Sequence, residues 1–176
     1  MSSVPSLEDV LERGRRDRSL DECLAGLAEV LNTELPVHRL VAGLIHPDRE
    51  RLMLVGVWTS GPTQVRLGAV VRLEATAFPQ MVEGAGPVLM EGTPERGLRL
   101  LERVLWTERI RSVMSVPLRE EEATAGILIV GSQVPDAFTE DHLLLFSTLG
   151  FVCQDILLEL GRLRLEDLLR TESPDG

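Results

Sequence analysis

The chain predicts an α+β fold, and three observations carry that prediction. Two pairs of apolar segments, each broken by a short polar turn, read as β-hairpins. Amphipathic stretches with helix-start signals flank them, and a long leucine-rich run closes the chain. With 176 residues and a hydrophobic fraction of 44%, one domain with terminal extensions is expected.

The elements follow in order. Ser6 and Asp9 have the spacing of a capping box, and Leu7, Val10 and Leu11 make a short apolar stripe, so a brief helix is expected to end near Gly14. Ser19 and Glu22 repeat the signal. Leu20, Leu24, Leu27, Val30 and Leu31 follow at helical spacing, and the helix must stop before Pro36. Residues 39–46 and 52–59 read as paired strands around a turn at Pro47, Asp48 and Arg49. Leu40, Val41, Ala42, Leu44 and Ile45 leave no polar face, so this sheet is expected to be covered on both sides. Flanking helices can take one side. The middle of the chain is the candidate for the other.

That middle, residues 65–109, is mixed. A strand is expected over 65–73 and a short helix over 75–83, with Pro79 in its first turn. Gly84, Gly86 and Pro87 end the helix, and 88–90 reads as a short strand. A second helix is expected over 95–108, where Leu98, Leu101, Val104 and Leu105 keep helical spacing. Beyond it come a strand over 111–118, a charged turn over 119–122 and a strand over 123–132. Thr139 then caps a long helix, with Phe138 and Leu143 at staple spacing and Glu140 and Asp141 at its positive end.

This last helix is expected from about 140 to near 170, on the order of 45 Å, longer than a small domain is thick. Its second half is therefore expected to project beyond the sheet. Leu157, Leu158, Leu160, Leu163, Leu165, Leu168 and Leu169 would then call for a partner helix. Gly150 and Gly161 fall on nearly one face. That suits close approach of another element, and equally a tolerated glycine in a fraying end.

Composition narrows the function. A net charge of −10 argues against nucleic acid, and the cluster Arg13, Arg15, Arg16 and Arg18 reads as a solvated turn between two helices. There is no lysine and no tyrosine, which removes Schiff-base, phosphate-loop lysine and tyrosine-acid chemistry. The apolar runs are broken by Gly, Arg and Glu, so no membrane span is expected. The acidic N-terminal stretch does not resemble a signal peptide, and a cytoplasmic protein is expected. Cys23 and Cys153 sit in apolar helical patterns without metal spacing and read as small buried hydrophobes. His38, His46 and His142 read as surface or cap residues. Glu120, Glu121 and Glu122 read as a hairpin turn. No catalytic constellation, metal site or cofactor is expected.

The hairpin from Ser112 to Ser132, the passage from Gly68 to Met90 with its Gly86-Pro87-Val88, and the order helix, hairpin, variable middle, hairpin, long helix together resemble the GAF domain, a small-molecule sensor module of signalling proteins. The resemblance covers roughly 19–158, leaving 1–18 as an N-terminal helical extension and 159–176 as a helix extension with a polar tail. It implies a central antiparallel sheet with helices packed on one face and a variable helical segment on the other, with a ligand pocket beneath that roof. It also implies a homodimer through the terminal helices and a signalling protein as partner, as in two-component or transcription regulation. Dimer contacts are then expected at Leu7, Val10, Leu11, Leu157, Leu160, Leu163 and Leu168.

Subfamily signatures are missing. The Asn-Lys motif of cyclic-nucleotide receptors has no counterpart. No cysteine lies in the roof segment for a bilin, the clustered cysteines of methionine-sulfoxide reductases are lacking, and no histidine is placed to ligate haem. Trp58, Phe78, Met81, Met90, Trp106 and Met114 are the bulky candidates for a pocket, with Arg72, Arg109 and Arg111 as anchors for an anionic ligand. Each also fits plain core packing. The reading is a non-catalytic regulatory module that senses a small ligand or docks a partner. The alternatives are a ligand-free interaction scaffold and, third, an enzyme of the reductase branch. No output domain follows Arg170, which suits either a small whole protein or a piece of a longer one.

Overall fold

In the computed structural model, residues 3–75, 78–84, 86–90, 104 and 106–171 are described. Ser6 caps α1 (Leu7–Asp17), its hydroxyl accepting from the Asp9 amide while the Asp9 carboxylate accepts from the Ser6 amide. Arg18 ends the helix in the left-handed region at φ 51°. Ser19 caps α2 (Leu20–Leu31) by accepting from the Glu22 amide. The strands are β1 (Arg39–Ile45), β2 (Arg51–Thr59), β3 (Val70–Arg72), β4 (Val88–Met90), β5 (Ser112–Glu120) and β6 (Ala123–Ser132). Two further helices are α3 (Pro79–Val82) and α4 (Glu140–Thr171).

All pairings are antiparallel, and the sheet runs β3-β2-β1-β6-β5-β4. The two expected hairpins are β1–β2 and β5–β6. They become one sheet because β1 also pairs with β6, from Arg39 opposite Gly131 to Leu44 opposite Gly126. Both central strands are therefore buried on both faces, which is why their sequences lack a polar side.

Alternation sorts the side chains. Leu40, Ala42, Leu44, Met114, Val116, Leu118, Leu128 and Val130 face the layer built by α1, α2 and α4. Val41, Leu52, Leu54, Val113, Ile127 and Ile129 face the other way, toward a roof that includes α3. Phe138 and Leu143 are both buried at the start of α4, and the Thr139 hydroxyl accepts from the His142 amide there.

The long helix corrects the expectation of a projecting tail. It lies across the sheet from β5 to β1 and β2. An added Cβ at Gly150 would sit 2.7 Å from Val116, and one at Gly161 would sit 3.2 Å from Val55 and 3.3 Å from Leu44. Both glycines are thus close-approach positions against the sheet. Along that path Leu157, Leu158 and Leu160 are buried in the protein's own core, and Leu163 and Leu165 pack on its edge. Leu168 is half-buried, and Leu169 is exposed. By length and composition α4 is apolar enough to cross a membrane, contrary to the expectation from its broken runs. Half of its most apolar stretch is buried inside the domain, as in a core helix.

The middle of the chain is shorter in regular structure than its pattern suggests. The strand expected over 65–73 contracts to β3, and a 3-10 turn follows at Leu73–Ala75. The helix expected over 75–83 begins only at Pro79, whose fixed φ and missing amide suit a first turn. The helix expected over 95–108 falls mainly outside the described residues, with Leu98, Leu101 and Leu105. Val104, Trp106 and Thr107 are helical.

Candidate functional site

The roofed face of the sheet is a layer of buried apolar side chains. Helix α3 and the residue before it lay Met81 and Phe78, 0% and 1% exposed, onto Val41, Leu52, Leu54, Ile127 and Ile129. Val65, Leu73 and Ile110 close its sides. One end of this roof is strapped by arginines. Arg49, at φ 63° in the β1–β2 turn, donates from Nη1 to the Thr124 carbonyl at 2.7 Å and from Nη2 to the Val82 carbonyl at 3.0 Å. Arg119 donates to the Gly84 carbonyl at 3.0 Å, and the Thr124 hydroxyl donates to the Met81 carbonyl at 2.8 Å. Ser115 is wholly buried under α3, and among the described residues its hydroxyl reaches Val88 O at 3.5 Å and Met81 Sδ at 3.7 Å. These are long contacts for a buried donor.

The other end is held by a buried ion pair. Arg39, the first residue of β1, donates from Nε to Glu108 Oε2 at 2.9 Å, with side chains 3% and 6% exposed. Its remaining nitrogens donate to the His38 carbonyl at 2.8 Å and the Pro62 carbonyl at 2.6 Å. Glu108 also accepts from the Thr63 hydroxyl at 2.8 Å and from the Gln64 amide. Burial alone would push the Glu108 carboxyl up. The Gln64 amide, the Arg39 guanidinium and the Thr63 hydroxyl outweigh it and hold the carboxyl below its ordinary value. Neither residue stood out in the sequence, because an arginine opening a strand and a glutamate ending a helix are ordinary surface positions.

The candidate pocket residues do not converge. Phe78, Met81 and Met90 lie on the roof side. Trp58 and Met114 lie on the helix side, a correction fixed by strand parity: Trp58 pairs with Leu40 and Met114 with Val130, all on that face. The Arg111 guanidinium lies 3.4 Å from the centroid of the Trp106 ring and donates to the Trp106 carbonyl at 2.9 Å. Arg109 is exposed in the left-handed region at φ 65°. Arg72 is at the opposite end of the sheet, exposed and 3.4 Å from Glu74. It borders a cleft of about 480 Å3 between Arg49 and β3 on one side and Pro79, Val82 and Glu83 on the other. The three arginines therefore form no common anchor.

The terminal helices are similarly divided. Val10, Leu11, Leu157 and Leu160 are buried within the single chain, whereas Leu7, Leu163 and Leu168 are half-buried. The large exposed apolar residues of α4 are instead Leu144, Leu145, Phe151, Val152 and Leu169.

Both cysteines lie on the helix side at 0% exposure. Burial pushes the Cys23 thiol up to about 11. Burial, with Cys23 nearby, pushes Cys153 up to about 12. Neither is a nucleophile at neutral pH. His142 Nδ1 accepts from the Thr139 amide, and His38 Nδ1 from the Gln133 amide, so both serve loop ends. Among the described residues, no group of three or more His, Cys, Asp or Glu side chains could hold a metal ion.

The arrangement has solved counterparts. The GAF domain of a two-component sensor histidine kinase from Bacillus halodurans superposes with a TM-score of 0.64 at 15% identity, over 92% of this chain and 98% of that one. The GAF domain of an Acinetobacter phosphoenolpyruvate-protein phosphotransferase gives 0.61 at 18%, over 93% and 98%. Free methionine-R-sulfoxide reductase from Neisseria meningitidis, in complex with its substrate, gives 0.66 at 18%, over 89% and 87%. No curated protein matches significantly. At these identities the superpositions establish the fold. The family model described as GAF domain matches residues 17–157, most of the sequence, and the chain therefore belongs to the GAF domain family.

Proposed function

We propose that the chain is a non-catalytic regulatory module, homodimeric through its terminal helices, that senses a small ligand at its roofed sheet face and reports to a signalling protein. One observation carries this reading. Helices α1 and α4 rest on one face of the sheet, while the roof rests on the other. Gly150 and Gly161 bring α4 into direct contact with β5, β1 and β2, so a shift of those strands is passed to the helix without slack. The Bacillus halodurans counterpart is a GAF domain belonging to a two-component sensor histidine kinase, which supports a signalling role here. The chain's two cysteines both lie on the other face, so the roof side carries no thiol, which fits a module without thiol chemistry. A reducing, cytoplasmic setting accords with their being unpaired.

A second reading, a scaffold with no ligand, is favoured by Phe78 and Met81, which fill the space between α3 and the sheet themselves. Thermal shift across nucleotides, amino acids, organic acids and haem separates the two. A ligand present at a hundredfold excess over its Kd adds about 2.7 kcal/mol. A panel with no stabilising member would leave the scaffold.

A further inference from the structure

We propose that a cleft on the helix side of the sheet, opposite the roof, binds a small monocarboxylic acid with an apolar body, with the Arg162 guanidinium as its anchor. The cleft, of about 330 Å3, lies where α4 leaves the sheet just after Gly161, beside the β1–β2 and β5–β6 turns. That volume stands at the lower end of small-molecule pockets. Its floor is apolar. Leu44 is buried, and Met53, Ala125 and Leu165 are half-buried at the edge of the helix-side core. A bound hydrocarbon would take the exposed parts of these three out of water. The site is separate from the roofed face, and it stands or falls independently of any ligand there.

The polar side of the cleft selects the head group. Arg162 donates to both oxygens of Glu120, from Nη1 to Oε1 at 2.8 Å and from Nη2 to Oε2 at 2.7 Å. This is the fork geometry a free carboxylate takes on an arginine, so Glu120 is the chain's own occupant of the head-group position. The two side chains are 47% and 55% exposed. Ion pairs that wet contribute little, so an incoming carboxylate can exchange with Glu120 at small cost. Arg49 also lines the cleft. Its Nη1 and Nη2 donate to the Thr124 and Val82 carbonyls, and no carboxylate among the described residues pairs with it. The neighbouring Asp48 is taken up by Arg51 at 2.6 Å. Two guanidinium groups against one carboxylate therefore make this lining favour an anion, in a chain whose net charge is −10. A bound acid takes over the tie that Glu120 makes, and so releases the β5–β6 turn from the end of α4.

The experiment is an amide NMR titration of the full chain with hexanoate, up to about 20 mM, with acetate, 1-hexanol and hexylammonium as controls. Hexanoate is expected to give saturable shifts at the Ala123, Ala125 and Leu165 amides. The controls lack either the chain or the charge and are expected to bind at least about tenfold more weakly. E120Q removes the competing carboxylate and is expected to tighten hexanoate about two- to fivefold. R162Q is expected to weaken it at least about tenfold. Misfolding cannot produce changes of opposite sign in the two variants. The site would be overturned by 1-hexanol binding as well as hexanoate, by R162Q binding unchanged, or by a titration without saturable shifts. Shifts confined to Met81, Ile127 and Ile129 would overturn it too, since they would put the acid under the roof and support the ligand reading proposed for that face.

Discussion

The Arg39 guanidinium meets the Glu108 carboxylate at 2.9 Å across 69 residues of chain, with both groups almost wholly removed from water. The pair ties the strap returning from the roof to the first residue of the central strand, and it draws in the loop after β2 through Thr63, Gln64 and Pro62. Removing one partner leaves the other buried without compensation, so Glu108→Ala should cost about 3–5 kcal/mol in urea denaturation. The double variant Arg39→Met with Glu108→Leu should cost less than the sum of the single changes. Full additivity would show that the pair is not coupled.

The same pair sets a pH dependence. The Glu108 carboxyl lies below its ordinary value of 4.5 in the folded protein, so the unfolded chain binds the proton more readily. Its stabilising contribution is complete above about pH 4.5 and is lost as pH falls below that. Urea midpoints at about pH 6 and pH 3.5 should therefore fall further for wild type than for Glu108→Gln. Equal drops would remove Glu108 from the acid response. Asp48 and Glu120 are also held low, Asp48 at about 2, but they are common to both proteins and cancel in the comparison.

The two close-approach glycines should respond differently. An alanine Cβ at position 150 would meet Val116 Cγ2 at 2.7 Å, and a β-branched side chain on a strand has little room to yield. Gly150→Ala should destabilise by about 1–3 kcal/mol through overpacking. At position 161 the nearest atoms are at 3.2 and 3.3 Å, and helix propensity returns about 1 kcal/mol. Gly161→Ala should be close to neutral. Thermal unfolding of the two variants side by side reads the order directly.

The thiols should be silent in the folded state. With values near 11 and 12 and no exposure, Cys23 and Cys153 should resist iodoacetamide at about pH 8, and both should label after unfolding in guanidinium. Rapid labelling of either thiol in the native protein would show that the helix layer opens locally.

Much of the scaffold was legible because local rules act within a few residues. Ser6 and Asp9 announced α1, Thr139 and the Phe138–Leu143 spacing announced α4, and the unbroken apolar run of β1 announced a strand covered on both faces. The candidate site was legible only in part. Phe78, Met81 and Met90 lie on the roof side of the sheet, whereas Trp58 and Met114 point the other way. One residue of register decides the face, and nothing within a strand states which face will carry helices.

The sequence by itself determined the two hairpins, the capped helices α1, α2 and α4 and the double-sided burial of the central strands, since each depends on periodicity and capping along the chain. Tertiary structure alone decided that β1 pairs with β6, that α4 runs across the sheet rather than past it, and that Arg39 finds Glu108. Contacts between distant residues are fixed by how layers pack and by which carbonyls and charges they bury together, and no local spacing encodes that. The diagonal path of α4 took Leu157 and Leu160 into the core and left Leu144 and Phe151 in water, so the helix that looked unfinished at its end is uncovered near its beginning.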